Sequence, residues 1–276
     1  MNQSHNFVFF GTPTVASETL ATLLKYGFVP SLVVTSPDAP KGRGLTLTPS
    51  PTKVLATERG IAVITPEILD QATIDAIKAF DAEYGICVAY GKIFPEELIA
   101  AFPLGVLNVH YSLLPKYRGA TPLEGALLAG ESETGVTIQK MVKALDAGDI
   151  VAQESTPIEP FETARELRPR LITLGARLLA DSLPAFVAGS ITTTQQDESL
   201  ATRSGKINKS DGELNISSDA VANWNKYRAY TDSIGTYFFE NGKRLKIIAA
   251  TFKDGTFTVE RVIPEGKNET SYPLHT

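Results

Sequence analysis

Leu104-Gly105-Val106-Leu107-Asn108-Val109-His110 runs straight into Tyr111-Ser112-Leu113-Leu114-Pro115-Lys116-Tyr117-Arg118-Gly119-Ala120, and the junction between them decides the fold. The first segment is a short apolar run that reads as a buried strand. Pro115 and Gly119 break the second too often for a helix interior, so it reads as a loop leaving that strand. In an open α/β sheet, loops at the carboxyl ends of strands are where ligands bind. Successive strand side chains point to opposite faces, so Asn108 and His110 project from the same one. There an amide N–H can stabilise a developing oxyanion while an imidazole handles a proton. Of the three histidines, His5 and His275 sit at termini, which are usually poorly ordered, so His110 is the one a folded interior would hold. An isolated buried histidine is more often a satisfied core residue than a catalyst; the residues around this one shift the balance.

Outward from that junction, apolar runs alternate with helical patterns. Phe7–Phe10, Leu32–Thr35, Ala62–Ile64, Tyr84–Ala89 and Val106–Val109 read as strands. The stretches Val15–Lys25, Thr52–Arg59, Ala72–Phe80, Glu96–Ala101 and Leu123–Ala129 read as helices. Such alternation predicts an α/β fold with a doubly wound, mostly parallel sheet. Gly11-Thr12-Pro13 occupies the first strand-to-helix turn without the spacing of a dinucleotide-binding loop. Leu145-Asp146-Ala147-Gly148-Asp149-Ile150 reads as a tight turn between the β-like segments Val136–Met141 and Ile150–Ser155. A carboxylate there can orient an imidazole. Asp146 and Asp149 compete for that role, and each could equally serve hydrogen bonds within the turn. A long helical pattern over Ala164–Ala188 contains Pro169 and Pro184, which are expected to bend or divide it.

From about Leu200 the texture changes. Asp219–Tyr230 is amphipathic and helical in pattern. Thr236–Glu240, Arg244–Phe252 and Phe257–Val262 read as three strands joined by Asn241-Gly242 and Asp254-Gly255, the strongest short hairpin signals. The expected division is a catalytic domain over 1–190, a linker over 191–211 and a small β-rich domain over 212–276.

Composition narrows the class. The chain has 276 residues, 43% of them hydrophobic, enough for one sizeable core and a smaller one. No uninterrupted apolar stretch is long enough to span a membrane, and the first residues lack a signal-peptide pattern, so a cytoplasmic protein is expected. A lone Cys87 cannot form an intrachain disulfide, and one cysteine with three scattered histidines offers no zinc-type cluster. No metal is expected.

Taken together, Asn108-Val109-His110, Ser112-Leu113-Leu114-Pro115, Arg118-Gly119-Ala120 and Leu145-Asp146-Ala147-Gly148-Asp149 resemble the folate-dependent formyltransferases. Within that family the N-terminal half resembles the branch that acts on methionyl-tRNA. Gly11-Thr12-Pro13, Ser36-Pro37-Asp38-Ala39-Pro40-Lys41-Gly42-Arg43-Gly44 and Pro49-Ser50-Pro51-Thr52-Lys53-Val54 carry that part of the match, which runs from about Phe7 to Ile158. The resemblance implies transfer of a formyl group from 10-formyltetrahydrofolate, a co-substrate, to the α-amine of methionyl-initiator tRNA. It implies that Asn108, His110 and Asp146 are catalytic, and that Tyr90, Gly91, Ser112, Leu113, Leu114 and Pro115 border the folate. It places Lys41 and Arg43 on a mobile loop that meets the acceptor end of tRNA. It also implies an OB-type barrel at the C terminus, a fold often used on nucleic acid. A monomer is expected.

Charge fits this picture only in part. The net charge is −5, whereas tRNA phosphates demand cations. Residues 201–276 carry 11 basic and 9 acidic side chains, net +2, which leaves 15 and 22, net −7, for the first 200. Lys206, Lys209, Lys243, Arg244 and Lys246 are therefore the candidate RNA contacts. Three departures from the family pattern stand out. Leu45-Thr46-Leu47-Thr48 follows Gly-Arg-Gly where basic residues are usual. Tyr111 stands where a small residue or proline is usual, so its ring is expected to face solvent or to shape the folate site. Asp232-Ser233-Ile234 replaces a tryptophan- and proline-containing segment. An amino-sugar N-formyltransferase acting on a nucleotide-linked sugar is the alternative reading.

Overall fold

The structure is a computed structural model that describes residues 6–42 and 44–273. His5 and His275 lie outside the described residues. From the N terminus the elements are β1 (Phe7–Gly11), α1 (Thr14–Lys25), β2 (Leu32–Val34), β3 (Ala39–Lys41), β4 (Thr46–Thr48), α2 (Pro51–Glu58) and β5 (Ala62–Ile64). Next come α3 (Gln71–Lys78), β6 (Tyr84–Val88), α4 (Glu96–Ala100), β7 (Val106–His110), β8 (Arg118–Gly119) and α5 (Pro122–Leu128). They are followed by β9 (Glu133–Lys140), β10 (Ile150–Pro157), α6 (Ala164–Val187), β11 (Arg203–Ser204) and α7 (Ala220–Tyr230). The chain ends in β12 (Thr236–Glu240), β13 (Lys243–Lys253), β14 (Thr256–Pro264) and β15 (Thr270–Ser271).

The apolar runs form one seven-stranded sheet in the order β10-β9-β7-β6-β1-β2-β5. The pairings from β5 to β7 are parallel, and β9 joins β7 antiparallel. The chain winds away from β1 through β2 and β5, then returns to the other side of β1 at β6. The switch point therefore lies at the carboxyl ends of β1 and β6, where such sheets bind ligands. Gly11 closes β1 at that point. A Cβ on it would lie 2.5 Å from Ala16 Cβ and 2.9 Å from the Val88 carbonyl oxygen, so only glycine admits α1 and β6 this closely. Phe10 sets its edge against Phe94 and Tyr90, with centroids 4.8 and 5.8 Å apart, and all three are buried. Each buried aromatic ring stabilises the fold by about 1.5–3 kcal/mol.

Helix starts follow their capping residues. The Ser50 hydroxyl accepts the Lys53 N–H at 3.0 Å with Pro51 at the first helical position, and Asp70 accepts the Thr73 N–H at 3.0 Å. Of the two outcomes expected for the long helix, a bend or a division, the second is not met. Neither Pro169 nor Pro184 divides α6, which runs unbroken for 24 residues. Each proline removes one internal hydrogen bond, at a cost of about 3 kcal/mol. The buried face of Leu167, Leu171, Ala176, Leu179, Ala180 and Leu183 holds the helix together across both. Among the described residues no helix is long and apolar enough to cross a membrane.

The chain divides into two compact units, each assembled from three stretches. The first comprises Met1–Lys116, Gly135–Glu154 and Leu171–Ala201; the second comprises Tyr117–Thr134, Ser155–Arg170 and Thr202–Thr276. Within the second, β12-β13-β14-β15 form an antiparallel sheet around Leu214, Phe238, Leu245, Ile247, Val259 and Val262. Asn241 and Gly242 have φ of 50° and 73°, and Asp254 and Gly255 have 50° and 76°. Positive φ at both central residues is the primed hairpin turn that these dipeptides favour. The fourth strand, only two residues long, was not legible in the sequence. Among the described residues no pairing joins β12 to β15, and Glu213 pairs with Tyr237 on the outer edge of β12 as an isolated parallel bridge. Asp232, one of the departures noted above, accepts Arg168 Nε at 2.7 Å, while Nη2 of the same arginine donates to Glu124 at 2.6 Å.

Candidate active site

β7 carries Asn108 half-buried and His110 buried, and both side chains reach the carboxylate of Asp146. Asn108 Nδ2 donates to Oδ1 at 3.4 Å, and His110 Nδ1 lies 3.7 Å from Oδ2. The second distance is too long for a hydrogen bond. It is an ion-pair contact whenever the imidazole is protonated. His110 is 5% and Asp146 10% exposed, so the contact is screened little by water. The two carboxylates of the turn separate clearly. Asp146 faces Asn108 and His110, while Asp149 accepts the Thr193 hydroxyl at 3.2 Å.

Local backbone geometry sets Asp146 in place. Its φ is 50°, a left-handed conformation uncommon outside glycine. Gly148 follows two residues later, and a Cβ there would lie within 1.7 Å of the Lys140 carbonyl oxygen. The turn can therefore lie against the end of β9 only with glycine at 148.

Two buried glutamines complete the surroundings, and sequence reading singled out neither. Gln139 Nε2 donates to Asp146 Oδ1 at 2.9 Å. Gln196 Nε2 donates to the main-chain carbonyls of Asp146 at 2.9 Å and Gly148 at 2.7 Å. The stretch around Gln196 is more than a solvated connection, because Thr194 pairs with Ile150 as an isolated β-bridge.

The residues after His110 fall into two sets. Ser112 and Leu114 are buried, and their polar atoms are already engaged. The Ser112 hydroxyl donates to the Lys116 carbonyl at 2.6 Å, Leu114 N–H donates to the Thr137 hydroxyl, and Gln153 donates to the Leu114 carbonyl. Leu113 and Pro115 are half-exposed, and Gly91 is exposed. The Ser112 hydroxyl hydrogen is thus directed at the Lys116 carbonyl. Tyr90 is 2% exposed, and its hydroxyl has no hydrogen-bond partner. Burial pushes that phenol up to about 12, so it stays protonated. Burial likewise pushes the Cys87 thiol up to about 12, with the Asp146 charge adding to the effect. Among the described residues no group of three or more His, Cys, Asp or Glu side chains could hold a metal ion.

Comparison with known proteins assigns the chain to a family. Residues 5–183 match the formyl transferase family, and residues 206–269 match the formyl transferase C-terminal domain. A methionyl-tRNA formyltransferase of Bdellovibrio bacteriovorus is 43% identical over 251 residues, which cover 90% of this chain and 79% of that one. Its counterpart in Thermotoga neapolitana is 41% identical over 250 residues, covering 90% and 80%. The chain belongs to the methionyl-tRNA formyltransferase family. Among solved structures, a sugar N-formyltransferase from Shewanella superposes with a TM-score of 0.70 at 18% identity, covering 91% of this chain and all of that one. That likeness is one of fold.

Within this family member, the cations predicted to meet RNA lie apart from the Asn108–His110–Asp146 cluster in the sequence, and those among the described residues are exposed. Lys41 sits on the β3–β4 hairpin, and Arg43 lies outside the described residues. The same hairpin presents Leu45 and Leu47, 71% and 68% exposed. Lys206, Lys209, Lys243 and Arg244 are exposed in the second unit, where the Arg244 guanidinium lies 5.6 Å from the Tyr237 ring centroid. Tyr111 does not turn to solvent: its hydroxyl is buried, and its ring packs beside Gly175 of α6, which has no side chain to obstruct it.

Proposed function

We propose that this chain is a cytoplasmic, monomeric enzyme that transfers the formyl group of 10-formyltetrahydrofolate to the α-amine of methionyl-initiator tRNA, with Asn108, His110 and Asp146 as catalytic residues. The observation that carries this reading is the convergence of Asn108 and His110 on the single Asp146 carboxylate, in a chain about 40% identical to methionyl-tRNA formyltransferases. The neutral amine attacks the formyl carbon and creates a tetrahedral oxyanion. One Asn108 amide hydrogen points to Asp146, which leaves the other for the oxyanion. His110 turns Nδ1 to the carboxylate, so Nε2 is the nitrogen that would meet substrate. A donor aimed at such an oxyanion stabilises the transition state by about 2.7–4 kcal/mol. Asp146 holds the imidazolium and takes the amine's proton, directly or through water. Collapse of the oxyanion breaks the bond to the folate nitrogen, which leaves with the proton that Asp146 took from the amine, so the transfer completes with no covalent enzyme intermediate.

The residues present suit the folate. The buried, unpartnered Tyr90 hydroxyl is a polar atom whose desolvation a ligand's hydrogen bond would offset. Leu113 and Pro115 offer half-exposed apolar surface, while Ser112 and Leu114 support the wall from behind. Lys41, Arg43, Lys206, Lys209, Lys243 and Arg244 are the proposed tRNA contacts, though the exposed leucines of the β3–β4 hairpin make its part in phosphate binding small.

The acceptor is tested by supplying labelled 10-formyltetrahydrofolate with charged initiator tRNA, charged elongator tRNA or a nucleotide-linked amino sugar. Label is expected on initiator tRNA alone, and label on the sugar would overturn the acceptor assignment. The turn geometry yields a second expectation. Gly148→Ala moves the Asp146 turn away from the Lys140 carbonyl, and displacements of this order lower kcat about 100-fold. A steady-state assay beside a melting curve checks it, and a kcat near wild type would contradict the role given to the turn.

A further inference from the structure

Two buried amides stand in series behind the Asp146 carboxylate. Gln139 is 1% and Gln196 6% exposed. Gln139 lies directly opposite Asn108 in the β7–β9 register, which sets its side chain on the face that carries Asn108 and His110. Its Nε2 donates to Asp146 Oδ1 at 2.9 Å, closer than Asn108 at 3.4 Å. An amide nitrogen has two hydrogens, and those of Gln196 are directed at the carbonyls of Asp146 and Gly148, with Gln139 Oε1 a weaker third neighbour at 3.4 Å.

We propose that Gln139 and Gln196 are positioning residues for the transfer reaction. Gln139 holds Oδ1 so that Oδ2 turns to His110, and Gln196 fixes the left-handed backbone from which the carboxylate projects. The proposal builds on the formyl-transfer reading above. Of the titratable groups around Asp146, His110 faces it from β7 and Cys87 from β6, and the Cys87 thiol, pushed up to about 12 chiefly by burial, remains neutral. Asp149 shares the turn but accepts from Thr193. The Gln139 amide is neutral, so it holds Oδ1 without adding a charge that would compete with His110.

The test measures kcat and KM for transfer to charged initiator tRNA by wild type, Gln139→Leu, Gln139→Glu and Gln196→Leu. Gln139→Leu and Gln196→Leu are expected to lower kcat about 10- to 100-fold, the usual effect of removing a supporting hydrogen bond. KM for 10-formyltetrahydrofolate should stay near wild type. Gln139→Glu keeps the shape of the side chain but sets a carboxylate against Asp146 in place of the donor, so its kcat should fall at least as far as that of Gln139→Leu, with KM unchanged. A purely structural role would lower the melting temperature and leave kcat of the folded enzyme unchanged. Wild-type kcat in Gln139→Glu would overturn the proposal even if both leucine variants failed to fold. An inactive wild type would overturn the formyl-transfer reading, and this one with it.

Discussion

Replacing His110 with alanine is expected to lower formyl transfer about 10²- to 10⁴-fold, the usual contribution of a positioned acid or base. The side chain is 5% exposed and contacts the Asp146 carboxylate, so the variant loses both the donor aimed at the oxyanion and the cation that Asp146 would balance. The fold should survive. Gln139 and Asn108 still occupy Oδ1, and the strand itself is held by backbone pairing to β6 and β9. The measurement is kcat from single-turnover transfer, beside circular dichroism and a melting curve. A folded variant with full activity would remove His110 from the mechanism.

Asp146→Asn is expected to be at least as damaging, at about 10⁴-fold, the loss seen when the carboxylate behind a catalytic histidine becomes an amide. The physical reasons are two. The neutral amide no longer balances an imidazolium 3.7 Å away. It also cannot accept at both oxygen positions, so the N–H of Gln139 or the ring of His110 must face an NH2 group. Size and backbone preference barely change, because asparagine tolerates the left-handed conformation that Asp146 adopts at φ 50°. Thermal stability should therefore stay close to wild type while kcat collapses. A variant with a KM defect and normal kcat would mean that Asp146 binds substrate rather than serving the chemistry.

Much of this arrangement was legible in the sequence because local patterns and tertiary structure agree. The apolar runs became the parallel strands, and the two hairpin dipeptides became primed turns. Asn108 and His110 share a face because side chains alternate along β7. What escaped reading depends on long-range pairing. Gln139 looks like a solvent-facing polar residue in a strand pattern; only the position of β9 between β7 and β10 buries it. Had the β7–β9 register been known, its place opposite Asn108 would have been the clue. Gln196 sits in an extended stretch without periodicity, and its value comes from two carbonyls about fifty residues upstream. That α6 continues past Pro169 and Pro184 was left open by the sequence for a similar reason. Local propensity allows a bend or a break there, and burial of a whole helix face keeps the helix continuous. The turn pattern alone left Asp146 and Asp149 level, the family resemblance singled out Asp146, and the coordinates set that carboxylate against Asn108 and His110.

The most direct test of the account is to incubate the wild-type chain with 10-formyltetrahydrofolate and methionyl-initiator tRNA and to quantify both products. N-formylmethionine released from the tRNA and free tetrahydrofolate are predicted to appear in equal amounts. Tetrahydrofolate formed without formylated methionine, or neither product at all, would contradict a transfer reaction carried by Asn108, His110 and Asp146.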